Sequence, residues 1–439
     1  MKKIIKYLFV VLLIHSITIR VFGLTLDECI KLTLENNYKI QARSYEVDAK
    51  KKVIDVERSE YFPEVRAGTD YGAIPFKSQG LFGSSRTKRH NIRLRTEQPL
   101  WRAGYIKAKV KKAYWESNIA KAEKDIEEVD VVYDVTKAYY NVILQKEIVA
   151  VHQESVENAV GHVDSVREKV KEDMAVEVDL LVANTSLSSE KAELFTARND
   201  YNIAMQELNL IMGNELEKPL DIEEQLVFKP VEIDHPSLVH QAFGENPHLE
   251  KNYAQSQAAE QARKAAKSGF FPHVKLFTQW EWGETQGKPA NRRHGDAGGE
   301  ADLPLLPTGY NYAFGVGISV PILKDYIEAK ARYREAKAIK NKLVMAKSHI
   351  ENSIRLNINK ARSKISESEM NYEVAKSNVD VFTKRLENIK KGYEEGVFTS
   401  LDVSDAHKDL SNAKIKLLKS IYKYNMAYTN LKKVVGKTH

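Results

Sequence analysis

Few residues in this chain are spaced for chemistry. Cys29 is the one cysteine of 439 residues, so no internal disulfide, CxxC redox pair or cysteine zinc cluster can form. His235, His240 and His248 lie close in sequence. They lack the i,i+4 spacing that puts two imidazoles on one helix face, so they read as linker or surface histidines. Gly315-Val316-Gly317 lacks the third glycine of a dinucleotide loop and is followed by strand residues. No Walker sequence is present, so nucleotide hydrolysis cannot power the chain. The sequence supports no enzyme, and no cofactor or metal is expected.

Charge narrows the partners. The net charge is +7, but Lys2, Lys3, Lys6 and Arg20 fall in the first 23 residues, which hold no acid. The remainder carries 63 basic against 60 acidic residues, too even a balance for nucleic acid. The segment 1–23 reads as a secretory signal peptide: a basic start, an apolar core from Leu8 to Ile14, and Gly23 at the cut. No later run reaches the ~18 apolar residues of a membrane helix. The expected mature chain is exported, either soluble or inserted as a β-barrel.

The elements that would position any site repeat. Tyr61-Phe62-Pro63 matches Phe270-Phe271-Pro272, and Glu35-Asn36-Asn37 matches Glu245-Asn246-Pro247. Asp179, Ala183, Leu187, Tyr201, Leu208 and Gly213 match Asp402, Ala406, Leu410, Tyr424, Leu431 and Gly436 at an offset of 223. Two homologous halves follow, 24–232 and 233–439. Each is expected to hold a short helix, two strands and a long helical hairpin. The hairpins are placed at 101–213 and 323–436, and an equatorial segment at 214–232. Heptad seams support the hairpins: Ile119 to Ile143 in the first, Ala361 to Tyr393 in the second. A helix of ~70 residues would be ~105 Å long.

Four segments alternate with period two: 64–76, 89–98, 273–282 and 310–320. Val274, Leu276, Trp280 and Trp282 share one face of the third. Tyr310, Tyr312, Phe314, Val316 and Ile318 share one face of the fourth. Apolar outside and polar inside is the pattern of a transmembrane β-barrel, and the Trp and Tyr residues would form an interfacial belt. Four strands leave open edges that lipid does not tolerate. Three copies would close a 12-stranded barrel. The stretches 77–88 and 283–309 read as loops.

The chain resembles the TolC family of outer-membrane efflux proteins over nearly its whole mature length. Leu24-Thr25-Leu26-Asp27-Glu28-Cys29-Ile30 resembles the family's opening, with cysteine in place of the usual alanine. Gly392-Tyr393-Glu394-Glu395-Gly396 through Leu401-Asp402-Val403-Ser404-Asp405-Ala406 resembles its periplasmic tip turn. The resemblance implies a mainly α fold with a membrane β-barrel. In it, a trimer shares 12 strands, continued by a long periplasmic α-barrel. It implies a passive conduit in the outer membrane of a Gram-negative type cell. Its partners would be a periplasmic adaptor (membrane fusion protein) and an inner-membrane RND or ABC pump, for efflux or type I secretion.

The resemblance also places Asp402, Asp405, Tyr393 and Asp179 at a gate, with Gly392, Gly396 and Asp173 in the tip turns. Phe398 stands where the family has an arginine, and Val178 where it has a threonine, so a different latch is expected. Asp402 also suits a helix N-terminus, where a carboxylate satisfies free amides. The competing reading is a periplasmic coiled-coil adaptor or scaffold without a pore.

Overall fold

The computed structural model describes residues 24–76, 85–222, 224–231, 234–287 and 309–436. The expected signal peptide and most of both expected loops lie outside these residues. Eight helices and four strands are described. The first half holds α1 (Leu26–Asn36), α2 (Tyr38–Ser59), β1 (Glu64–Phe76), β2 (Ser85–Trp101), α3 (Tyr105–Lys171) and α4 (Glu177–Met212). The second repeats that order as α5 (His235–Glu245), α6 (Pro247–Ser268), β3 (His273–Gly287), β4 (Gly309–Ser319), α7 (Lys324–Glu394) and α8 (Ser400–Val435). Two strands outrun their expected limits: β2 begins before 89 and ends after 98, and β3 continues past 282 into the expected loop. None of the described helices is long and apolar enough to cross a membrane.

Each half has two helices where one short helix was expected. The break falls at an asparagine. Asn37 Nδ2 donates to the Ile211 carbonyl at 2.7 Å, and its Oδ1 accepts from the Lys39 amide at 2.9 Å. Asn246 repeats this with the Val434 carbonyl at 3.0 Å and the His248 amide at 3.0 Å. One side chain thus ends a helix, caps the next and ties both to the returning long helix. The equivalence is Asn37 with Asn246, one residue from the pairing read off the sequence. The returning helices end beside these breaks at Gly213 (φ 73°) and Gly436 (φ 92°).

The chain forms two compact units that cut across the halves. One comprises the residues up to Tyr45, Ala122–Glu250 and those from His349 onward. The other comprises Glu46–Lys121 and Lys251–Ser348.

The first unit is a set of paired long helices with α1, α5 and the segment 214–231 against them. Ala361, Ile365, Ser368, Ala375, Leu386 and Ile389 of the expected seam are all buried. In α3 a second buried line, Val131, Val135, Tyr139 and Val142, was not read from the sequence. Val135, Tyr139 and Val142 of that line are buried because α1 and the segment after α4 cover that side with Ile30, Ile222 and Leu226. The described residues of the segment 214–231 form no helix or strand and grip both hairpins. Lys146 Nζ donates to the Ile222 carbonyl at 2.6 Å. Phe228 stacks on Tyr372 at 3.9 Å between centroids, and the Val231 amide donates to the Tyr424 hydroxyl at 3.0 Å. Cys29 is fully buried in this unit. Its thiol is pushed up to about 12, by burial first and then by Glu224 and Glu28, so it is inert.

The second unit holds the sheet, antiparallel in the order β1-β2-β3-β4. The register aligns the apolar faces of neighbouring strands. Ala67 lies opposite Leu94, Leu94 opposite Trp280, and Trp280 opposite Tyr312. Val274, Leu276 and Trp282 lie opposite Ile318, Val316 and Tyr310. Leu276, Trp280, Tyr310, Tyr312, Phe314, Val316 and Ile318 are exposed, with Phe314 at 77%. Val274 and Trp282 are half-buried. The other face is charged and internally paired. Arg93 meets Asp70 and, at 3.5 Å, Glu281; Lys275 meets Glu97 at 3.0 Å. On that face Gly315 makes room for the Phe277 ring, which would lie 3.2 Å from an added Cβ.

Gly213 and Gly104 both have positive φ, but only Gly213 is crowded, with Asn36 O 2.7 Å from where a Cβ would stand. Gly104→Ala should cost ~1–2 kcal/mol, the left-handed backbone alone. Gly213→Ala should cost clearly more. Denaturant midpoints of the two variants check the ranking, and equal losses would contradict it.

Candidate gate at the helical tips

The free ends of the two long hairpins are built alike. At the second, the Val397 amide donates to the Gly392 carbonyl at 2.7 Å, and the Gly396 amide to the Tyr393 carbonyl at 3.3 Å. At the first, the Met174 amide donates to the Lys169 carbonyl at 2.8 Å, and the Asp173 amide to the Val170 carbonyl at 3.2 Å. Both are Schellman closures, which need a left-handed residue after the helix. Gly396 supplies it at φ 79° and Asp173 at φ 57°. Aspartate tolerates this conformation better than most side chains. Gly392 answers a different need: Phe398 lies over it, 2.5 Å from where a Cβ would stand. Phe398 therefore closes the turn by packing.

Asp402 does serve the helix N-terminus, from inside the first turn. Thr399 is the N-cap of α8. Its backbone amide donates to Asp402 Oδ2 at 2.8 Å, and the Asp402 amide donates back to Thr399 Oγ1 at 3.3 Å. This is a reciprocal capping box. The backbone amide of Thr399 and then its hydroxyl hold the Asp402 carboxyl below the usual range, and Arg385 adds to this. The group is ionised at neutral pH. Asp405, one turn on, is exposed. In the first hairpin Asp179 takes the equivalent place, accepting from the Val176 amide at 3.4 Å. Val176 has no side-chain oxygen to return the bond, so that cap is half made.

Tyr393 joins the two hairpins. It packs against Leu386, Ile389 and Val403 of the second and against Val163, Val166 and Ala183 of the first. Lys169 Nζ sits 3.8 Å from the centroid of its ring and donates to its carbonyl at 3.4 Å. A cation over an aromatic face is attracted by the ring quadrupole. Burial, and then the charge of Asp179, raises the phenol above its ordinary range. Tyr393 and Asp179 are thus brought together across the hairpins, while Asp402 faces its own cap.

Other cross-hairpin partners carried no sequence signal beyond polar residues set among seam positions. His162 Nε2 bonds Ser400 Oγ at 2.9 Å, Ser155 bonds Ser411 at 3.1 Å, and Lys414 meets Glu154 at 2.7 Å. Among the described residues no cluster of His, Cys, Asp or Glu could hold a metal ion.

Asp402→Asn keeps an acceptor oxygen for the cap and removes the charge. It should leave thermal stability close to that of the parent. Asp402→Ala and Thr399→Ala should each cost ~1 kcal/mol. Calorimetry of the three variants separates cap from charge.

Comparison with known proteins agrees with this architecture. The outer membrane efflux protein family matches residues 29–214 and 238–437. The outer membrane protein TolC of Escherichia coli is 24% identical over 413 residues, covering 91% of this chain and 80% of TolC. The fold is similar to the Campylobacter jejuni CmeC outer membrane channel, with TM-score 0.74, 15% identity, and 94% of this chain and 85% of that one covered. It is also similar to the open state of the Neisseria gonorrhoeae MtrE outer membrane channel, with TM-score 0.71, 17% identity, and 94% and 89% covered.

Proposed function

The chain belongs to the outer membrane efflux protein family, and from that premise we propose that three copies form one passive conduit from periplasm to exterior. The observation that carries this reading is the sheet. It has one exposed apolar face across four strands, one charged face, and outer edges at β1 and β4. Water is a poor solvent for the apolar face, since each large side chain buried gains ~1.5–3 kcal/mol. Lipid would accept it only if the edges pair. Joining β4 of one copy to β1 of the next satisfies both demands. Three copies give 12 strands with the charged face inward.

Export with removal of residues 1–23 delivers the chain to the outer membrane, with its long helices in the periplasm. Its tips would dock a periplasmic adaptor served by an inner-membrane RND or ABC pump, in efflux or type I secretion. At the tips, three copies of Asp402 and Asp405 would make two stacked acidic rings that favour cations. Tyr393 and Asp179 would hold the hairpins near that constriction.

The native mass of the detergent-extracted mature chain tests the assembly, with detergent subtracted. Three copies are expected, and a single copy would remove the shared barrel. Asp402→Asn with Asp405→Asn should weaken cation preference in bilayer recordings while keeping the trimer. Unchanged ion selectivity would remove the acidic rings.

A further inference from the structure

Between the two hairpins of one chain, above the tips, lies a small pocket with half-buried polar side chains in its wall. It is a cavity of about 20 Å³ lined in part by Ser155, His162, Glu190, Ser404 and His407. That is room for one water molecule at most. Ser404 Oγ and, nearby, His152 Nδ1 are buried without a hydrogen-bond partner among the described residues. Two imidazoles from opposite hairpins meet here: His162 on α3 and His407 on α8. His162 also makes the cross-hairpin bond to Ser400 and packs edge-on to Tyr393, at 5.7 Å between centroids.

We infer that His162 and His407 form a proton-operated latch between the hairpins. Neutral, they hold the two hairpins together; charged, they drive them apart. The inference rests on the reading of the tips as a movable gate, and it names what would move them.

The charges around the pair decide the direction. From α3 come Glu154 and Lys169, from α7 Lys390, and from α8 Lys414. Glu190 of α4 faces the same cavity, with His152, Glu193 and Lys408 around it. Lys414 is paired with Glu154, which leaves Lys390 and Lys169 as the uncompensated charges acting on the pair. Burial, reinforced by Glu193 and opposed by His152 and Lys408, raises the Glu190 carboxyl above its ordinary range. A proton on either imidazole would therefore meet a second imidazole and nearby ammonium groups in a poorly hydrated space. Separation of the hairpins admits water and relieves it.

Burial, opposed by the Ser400 backbone and reinforced by Lys390 and Lys169, lowers His162 from its ordinary 6.5. Burial, then Lys390 and His162, lowers His407 to about 4. A histidine depressed in the packed state stabilises that state above its ordinary pKa. The contribution is lost as the pH falls from 6.5 toward about 4.

Spin labels at Glu172→Cys and Glu395→Cys, both exposed at the tips, would read the separation. Cys29 is fully buried and does not compete for label. The labelled full chain is mixed with excess unlabelled protein, so that distances report one chain. The distance should lengthen as the pH falls from 7.5 to about 4, with its midpoint inside the window set by the two histidines. His162→Gln with His407→Leu should abolish that shift, and His407→Leu alone should reduce it. A parent whose distance ignores pH, or a double variant that keeps the full shift, overturns the latch. If the double variant does not assemble, an undiminished shift in His407→Leu overturns it equally. Bilayer conductance of the same proteins tests the gate separately. A pH-dependent separation at constant conductance upholds the latch and counts against the tip as the constriction.

Discussion

An exposed apolar sheet face with open edges cannot rest as it stands in water, and the order of residues along all four strands follows from that constraint. Residues that alternate along each strand line up across the sheet, from Ala67 through Leu94 and Trp280 to Tyr312. The reverse face is occupied by paired charges such as Lys275 with Glu97. A soluble sandwich would cover the apolar face with a second layer, yet these large side chains stay exposed. The same strand lengths and aromatic row suit a bilayer, where backbone amides must all be paired.

The long helices meet a second constraint at their ends. Each long helix leaves unsatisfied carbonyls at one end and amides at the other. The chain solves this twice with the same geometry and different residues. Gly396 and Asp173 both take the left-handed turn position. Thr399 with Asp402 completes a cap that Val176 with Asp179 makes only in part. The second hairpin therefore has the firmer end. Near the breaks between the short and intermediate helices, Asn37 and Asn246 carry the same idea, each satisfying a returning helix and a new one together.

Toward the tips, polar contacts such as His162 with Ser400 and Ser155 with Ser411 share the seam between the hairpins with apolar packing. Phe398 lies over Gly392 and makes closure of the turn apolar, and Lys169 over the Tyr393 ring supplies a cationic contact across the hairpins. Burying histidines beside lysines costs stability at low pH. Apolar residues would have packed the same space without that sensitivity.

Local order determined much of this protein. Period-two alternation placed all four strands, because one face of each must leave water. Heptad spacing placed Ala361 to Tyr393 on one side of α7, and the repeated residues Asp179 and Asp402 marked equivalent helix starts. What local order could not determine was anything requiring two distant segments at once. Lys169 and Tyr393 are 224 residues apart, and His162 and Ser400 are 238 apart, so no window of sequence holds both partners. The second buried line of α3 was hidden for the same reason, since its cover comes from α1 and from the segment after α4. The helix breaks at Asn37 and Asn246 also waited on tertiary structure. An asparagine stops a helix there because a carbonyl of the returning helix, far along the chain, is in place to receive its side chain.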